Sequence, residues 1–235
     1  AVLLAALAFV ALLAVGAGTL AVARRASTRA ATNDGMLYVA LQGGSSKVAV
    51  VDVHAERMVA TIPLADDPVA LVATRDGAHV YVLDDGGVIS VIDAAEQAVT
   101  DRYLLQGRTA GMAMSHDERN LYVTLSDRRA VMVIDAATGR QTGEARVGRT
   151  PREVVASSDG QWIVVFNAGD STISKVRASI LQETSVVYLR RQGESVSSFS
   201  THPMAIAPDG HTLYVSELNR ERVWSLNLTN NDLKS

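Results

Sequence analysis

Between Val69 and Leu104, short runs of aliphatic and β-branched residues at 69–73, 80–83, 88–92 and 98–104 are separated by polar and glycine-containing stretches. Runs of this length and spacing predict four consecutive antiparallel strands. Asp76-Gly77 between the first two predicts a tight hairpin. No window shows the 3.6-residue periodicity of an amphipathic helix.

The same unit recurs along the chain. Met-Leu-Tyr-Val-Ala at 36–40, His-Val-Tyr-Val-Leu at 79–83, Asn-Leu-Tyr-Val-Thr at 120–124 and Thr-Leu-Tyr-Val-Ser at 212–216 are one motif, with Trp-Ile-Val-Val at 162–165 a worn copy. Tyr38, Tyr81 and Tyr122 lie 43 and 41 residues apart, Ile163 follows after 41, and Tyr214 after 51. Two further motifs keep step: a strand ending in Asp52, Asp93 or Asp135, and turns at Asp76, Asp117, Asp159 and Asp209. Four strands in about 42 residues, repeated, is the blade arithmetic of an all-β propeller. Over 36–235 the motifs account for three whole blades, three strands before them and three after, or about four and a half blades in eighteen strands. A seven-bladed ring at this repeat length needs about 290 residues, so a truncated ring is expected, with a partner subunit completing the sheet edge as the alternative.

Residues 1–23 carry no charge and almost no polar side chain. As a helix they would cover the roughly 30 Å hydrocarbon layer. A transmembrane anchor or signal-anchor helix is therefore expected at 1–23, followed by a tether of small and polar residues at 24–35. Ala21-Val22-Ala23 also fits a signal-peptidase site, so cleavage is the competing reading. Arg24, Arg25 and Arg29 would by themselves hold their side in the cytoplasm. The sequence starts without Met, however, and basic residues upstream would reverse this, so the folded part is expected on the periplasmic side.

Composition narrows the function classes. Among 235 residues 48% are hydrophobic, with three Phe and two Trp, so Val, Ile, Leu and Ala must fill the core. Net charge is -3, which offers no broad basic footprint for nucleic acid. The absence of Cys excludes disulfides, thiolate metal sites and covalent haem. There is no His-x-x-x-His pair, phosphate loop or nucleophile elbow; no catalytic residue, metal or cofactor is expected.

The Leu-Tyr-Val-Thr core, the Val-x-Val-Ile-Asp strand and the Pro-led strand running into Asp-Gly, clearest at 121–135 and 203–216, resemble the YVTN family of β-propeller repeats. The resemblance spans about 36–228. It implies a seven-bladed ring, commonly extracytoplasmic, in surface layers, cell envelopes and the neighbourhood of periplasmic quinoprotein dehydrogenases, and no single activity. A membrane-anchored, bacterial protein-binding or assembly subunit of an envelope complex is the leading expectation. A redox accessory of a quinoprotein dehydrogenase, or a lactonase-like metal-dependent propeller enzyme, are the alternatives.

Strand alternation sorts the loops into two ends. Turns between first and second strands and between third and fourth repeat their residues, so Asp52, Asp93 and Asp135 read as turn caps. Loops between second and third strands, and between one blade and the next, vary, and variable loops on a rigid scaffold are where binding concentrates. These carry Asp84, Asp85, Arg108, Asp127, Arg128, Arg129, Arg149, Arg152, Asn167, Asp170, His202, Glu217, Arg220 and Arg222. Their arginines suit an anionic ligand or acidic partner loop; a solvated polar rim is the plainer reading. An insertion at 193–201 places Phe199 there as a possible contact anchor.

Overall fold

The computed structural model describes residues 21–23 (as backbone), 35–41, 46–189, 203–217 and 221–234. They form five four-stranded antiparallel sheets, each built in chain order. The first holds β1 (Ala21–Ala23), β2 (Met36–Leu41), β3 (Lys47–Asp52) and β4 (Arg57–Pro63); the second holds β5 (Pro68–Ala73), β6 (His79–Asp84), β7 (Val88–Asp93) and β8 (Ala98–Leu104). These two make one compact unit, residues 1–105. Residues 106–235 make a second unit of three sheets. Its first sheet is β9 (Thr109–Met114), β10 (Asn120–Leu125), β11 (Ala130–Asp135) and β12 (Gln141–Arg146), and its second is β13 (Pro151–Ala156), β14 (Trp162–Asn167), β15 (Thr172–Arg177) and β16 (Gln182–Tyr188). The last is β17 (Met204–Ile206), β18 (Thr212–Glu217), β19 (Arg222–Asn227) and β20 (Leu233–Lys234).

Two expectations change. Twenty described strands replace eighteen, because the end sheets are completed by β1 and β20. Neither has a repeat motif: β1 pairs through its backbone with residues 38–40 of β2, and β20 contributes two residues beside β19. Backbone pairing needs an extended partner and not a signature. Ala21–Ala23, read from sequence as the end of an apolar helix, is thus a strand. The rest of the anchor and the tether, 1–20 and 24–34, lie outside the described residues. Among described residues no helix is long and apolar enough to cross a membrane.

Packing follows from alternation. In β10 and β14, residues two, four and six of the strand face one way and three and five the other. The third-position side of one sheet meets the second- and fourth-position side of the next. In the first unit Tyr38, Val48 and Val50 pack with Val80, Val82 and Ile92. In the second, Tyr122, Val131 and Val133 pack with Ile163, Val165 and Val176, and Val164, Phe166 and Ile173 with Leu213, Val215 and Leu226. A fully buried aliphatic or aromatic side chain contributes about 1.5–3 kcal/mol.

The repeated turns are held by carboxylates. Asp52 accepts the N–H groups of His54 and Ala55, each at 2.9 Å; Asp93 accepts those of Ala95 at 2.8 Å and Glu96 at 2.9 Å. Asp135 accepts the Thr138 N–H at 2.8 Å and its hydroxyl at 2.7 Å. The hairpin aspartates do the same: Asp76 accepts Ala78 N–H at 2.9 Å, Asp117 accepts Ser115 Oγ at 2.6 Å, and Asp209 accepts His211 N–H at 2.8 Å. Gly77, Gly160 and Gly210 supply the positive φ these hairpins need. Glu118, at φ 60°, takes the same conformation without glycine.

These bonds hold several carboxyls below the ordinary carboxylate range. The leading causes are the Ala55 N–H for Asp52, the Glu96 N–H for Asp93, the Ser115 hydroxyl for Asp117, the Thr138 hydroxyl for Asp135 and the His211 N–H for Asp209. A depressed folded-state pKa contributes stability above the unfolded value that is lost as pH falls through the folded one. Asp84, raised by burial, works in the opposite sense. The urea midpoint should therefore hold steady down to about pH 4 and fall below it. A midpoint that stays level or rises between about pH 4 and 2 would contradict the role assigned to these caps.

Candidate functional site

The variable loops prove to be braced from beneath. The last position of the second strand in three sheets is polar and buried: Asp84, Asn167 and Glu217. Asp84 accepts the Val88 N–H at 2.7 Å across its turn. Asn167 donates from Nδ2 to Thr172 Oγ1 at 3.0 Å and Ser174 Oγ at 2.8 Å, while its Oδ1 is buried without a donor. Glu217 accepts the Trp224 indole N–H at 3.1 Å and lies 3.7 Å from the Arg222 guanidinium, which itself sits 4.9 Å from the Trp224 ring centre. The structure thus assigns these three to closing hairpins.

In the first unit this end is acidic. Asp67 accepts the Ser46 hydroxyl at 2.6 Å, and its carbonyl accepts the Asp85 N–H at 3.0 Å. Burial pushes the Asp84 carboxyl up, reinforced by Asp66 and Asp85. Among the described residues no group of His, Cys, Asp or Glu is arranged to hold a metal ion.

In the second unit the two loop types are bonded together twice in the same way. Asp127 accepts the backbone N–H of Arg108 at 3.0 Å, and the Arg108 carbonyl accepts the Ser126 N–H at 2.8 Å and hydroxyl at 3.1 Å. One sheet on, Asp170 accepts the backbone N–H of Arg149 at 3.0 Å and the Thr172 hydroxyl at 2.7 Å, and the Arg149 carbonyl accepts the Gly169 N–H at 2.9 Å. Both carboxylates bind main chain, leaving the arginine side chains out. Arg108, Arg128, Arg129, Arg149 and Arg152 are exposed. Their guanidiniums have no hydrogen-bond or ion-pair partner among the described residues. Phe199, His202 and Arg220 lie outside the described residues.

Two ionisable groups escape the sequence reading. Glu153, on β13, is half-buried, and burial holds its carboxyl above the usual range against the pull of Arg152. Lys175, on β15, is 5% exposed and donates to the Leu228 carbonyl at 2.7 Å and Asn231 Oδ1 at 2.8 Å. Burial, then Arg177, pushes its ammonium down. Each breaks the repeat: Glu153 stands at the third place of its sheet's first strand, where Ala70 and Gly111 stand in the two sheets before, and Lys175 where Val50, Val91 and Val133 stand. Position-by-position alignment of the repeats would have flagged both.

Consecutive four-stranded antiparallel sheets packed face to face define a β-propeller. Comparison with known proteins agrees. The chain is 29% identical over 128 residues to the seven-bladed β-propeller protein Rv1057 of Mycobacterium tuberculosis, covering 52% of this chain and 33% of that one. It is 24% identical over 157 residues to a 6-phosphogluconolactonase of Cronobacter sakazakii, covering 64% and 43%. The chain therefore spans less than half the length of both curated relatives. Among solved structures, Kuenenia stuttgartiensis hydrazine synthase aligns at TM-score 0.63 with 16% identity, over 88% of this chain and 80% of that one. A chain of the mitotic checkpoint complex aligns at 0.69 with 14% identity, over 84% and 59%. At these identities the structures speak for the fold alone. No family model matches.

Because Asn167 is fully buried and donates to two hydroxyls, Asn167→Ala should destabilise the second unit by about 1–3 kcal/mol. Urea unfolding checks this; a change within about 0.5 kcal/mol would mean that the hairpin does not depend on the brace.

Proposed function

We propose that this chain is a protein-binding propeller of the YVTN repeat type, whose loop end in residues 106–235 takes an acidic segment of a partner. The observation that carries it is the pairing pattern there. Asp127 and Asp170, in the same loops, are engaged by the main chain of Arg108 and Arg149, and the five exposed guanidiniums have no hydrogen-bond or ion-pair partner among the described residues. A guanidinium binds a carboxylate in a two-pronged geometry that fixes orientation as well as charge. No catalytic role is assigned to this end. The apolar run at 1–20, ahead of β1, supports a tether to the cell envelope, with the propeller on the periplasmic side, and that placement makes another envelope protein the natural partner.

A second reading is lactone hydrolysis, favoured by the likeness to a 6-phosphogluconolactonase. Turnover of a phosphorylated sugar lactone above its spontaneous rate would support it.

The binding reading is tested by fluorescence anisotropy with a labelled peptide rich in Asp and Glu. Binding should weaken at least about tenfold in Arg128→Glu/Arg149→Glu and fall steeply with salt. Charge reversal without effect, or equal binding of an uncharged peptide, would remove the arginines from the interface.

A further inference from the structure

The outer strands of the sheets share a place in the repeat but not their defences. An exposed sheet edge invites pairing with another chain, and folds guard it with charge or proline. Among its exposed residues β4 carries Arg57 and Pro63, β8 carries Asp101 and Arg102, and β12 carries Glu144 and Arg146. The exposed residues of β16 are Gln182, Thr184, Val186 and Tyr188, with no charge and no proline among them. Val186 is 43% exposed and Tyr188 53%. β16 ends its sheet, and β15 is its hydrogen-bonded neighbour.

Register gives the direction of the backbone groups. The Leu189 N–H donates inward to the Ser171 carbonyl at 3.0 Å. Antiparallel ladders alternate residues that bond to the neighbour with residues that face away. Val187 therefore turns its N–H and C=O to β15, and Val186 turns its own outward. The Leu189–Ser171 bond also ties the end of β16 to the loop in which Asp170 holds the Arg149 N–H at 3.0 Å. An unguarded edge thus starts beside the arginines and runs away from them.

We propose, on the footing of the acidic-segment reading above, that the partner segment continues as a strand: its acidic residues lie on the arginine loops, and the residues after them pair with β16 as a fifth strand of that sheet. β16 runs toward the loop end, so a segment leaving that end pairs with it antiparallel. Charge complementarity sets the first half of the occupant, and the edge sets the second. The second half is uncharged and rich in β-branched residues, which suit a pleated strand. Main-chain bonds to the outward groups of Val186 supply its attachment.

Fluorescence anisotropy with two labelled peptides separates the halves: one has an acidic N-terminal half followed by alternating Thr and Val, and the other is the acidic half alone. The longer peptide should bind at least about tenfold more tightly. N-methylation of alternate amides in its Thr-Val half should remove that gain. Val186→Pro should remove it too, since it deletes a donor that points away from β15 and leaves the ladder intact. Equal affinity of the two peptides, or a gain that survives N-methylation, would overturn the added strand, while arginine-dependent binding of the acidic half would still uphold the loop reading. No binding of the acidic half would overturn the loop reading and this one with it. Slow hydrogen exchange at Val186 in the free protein would overturn the strand alone, the edge being already taken: by this chain if the protection is independent of concentration, by a second copy if it grows with it.

Discussion

Burial of one sheet's aliphatic face against the next is the interaction on which everything else in this chain depends. A single four-stranded sheet of such short strands cannot remove enough apolar surface from water to offset the conformational entropy of ordering it. Each repeat therefore carries two apolar faces, one for the sheet before and one for the sheet after. Tyr122, Val131 and Val133 on one side, and Ile163, Val165 and Val176 on the other, illustrate the joint. Because the joint uses only alternation, the ends of the strands are released from packing duty and can differ in chemistry.

They differ by design of the turns. At one end Asp52, Asp93 and Asp135 spend their carboxylates on main-chain N–H groups of their own turns. At the other, Asp127 and Asp170 bind the N–H groups of Arg108 and Arg149 across two loops, fixing the backbone from which those arginines project. A rigid loop loses less entropy when a partner binds. Lys175 adds a polar joint beneath the same unit: its ammonium lies 4.5 Å from the Trp162 ring centre and bonds the turn after β19.

The repeat made the second and third strands legible in sequence, because Leu-Tyr-Val and Val-x-Val-Ile are buried on both faces and vary little. β1 and β20 were not legible, since strands held mainly by backbone pairing carry no side-chain signature. The turn aspartates were readable as caps from their recurrence. Asp84, Asn167 and Glu217 were expected at the variable end because they fall beside loops; that they are buried comes from the strand's inward position, which loop assignment ignores. Arg108 and Arg149 could be placed in the variable loops from sequence, but the pairing that leaves their side chains unneutralised depends on contacts 19 and 21 residues distant.

Hydrogen–deuterium exchange with and without an acidic decapeptide tests the central claim most directly, namely that binding belongs to the arginine-bearing loops and not to the capped turns. The account predicts added protection at 107–108, 126–129 and 148–152, with the turns at 117–119, 136–139 and 159–161 unchanged. Protection confined to those capped turns, or none at any loop when the peptide is saturating, would contradict it.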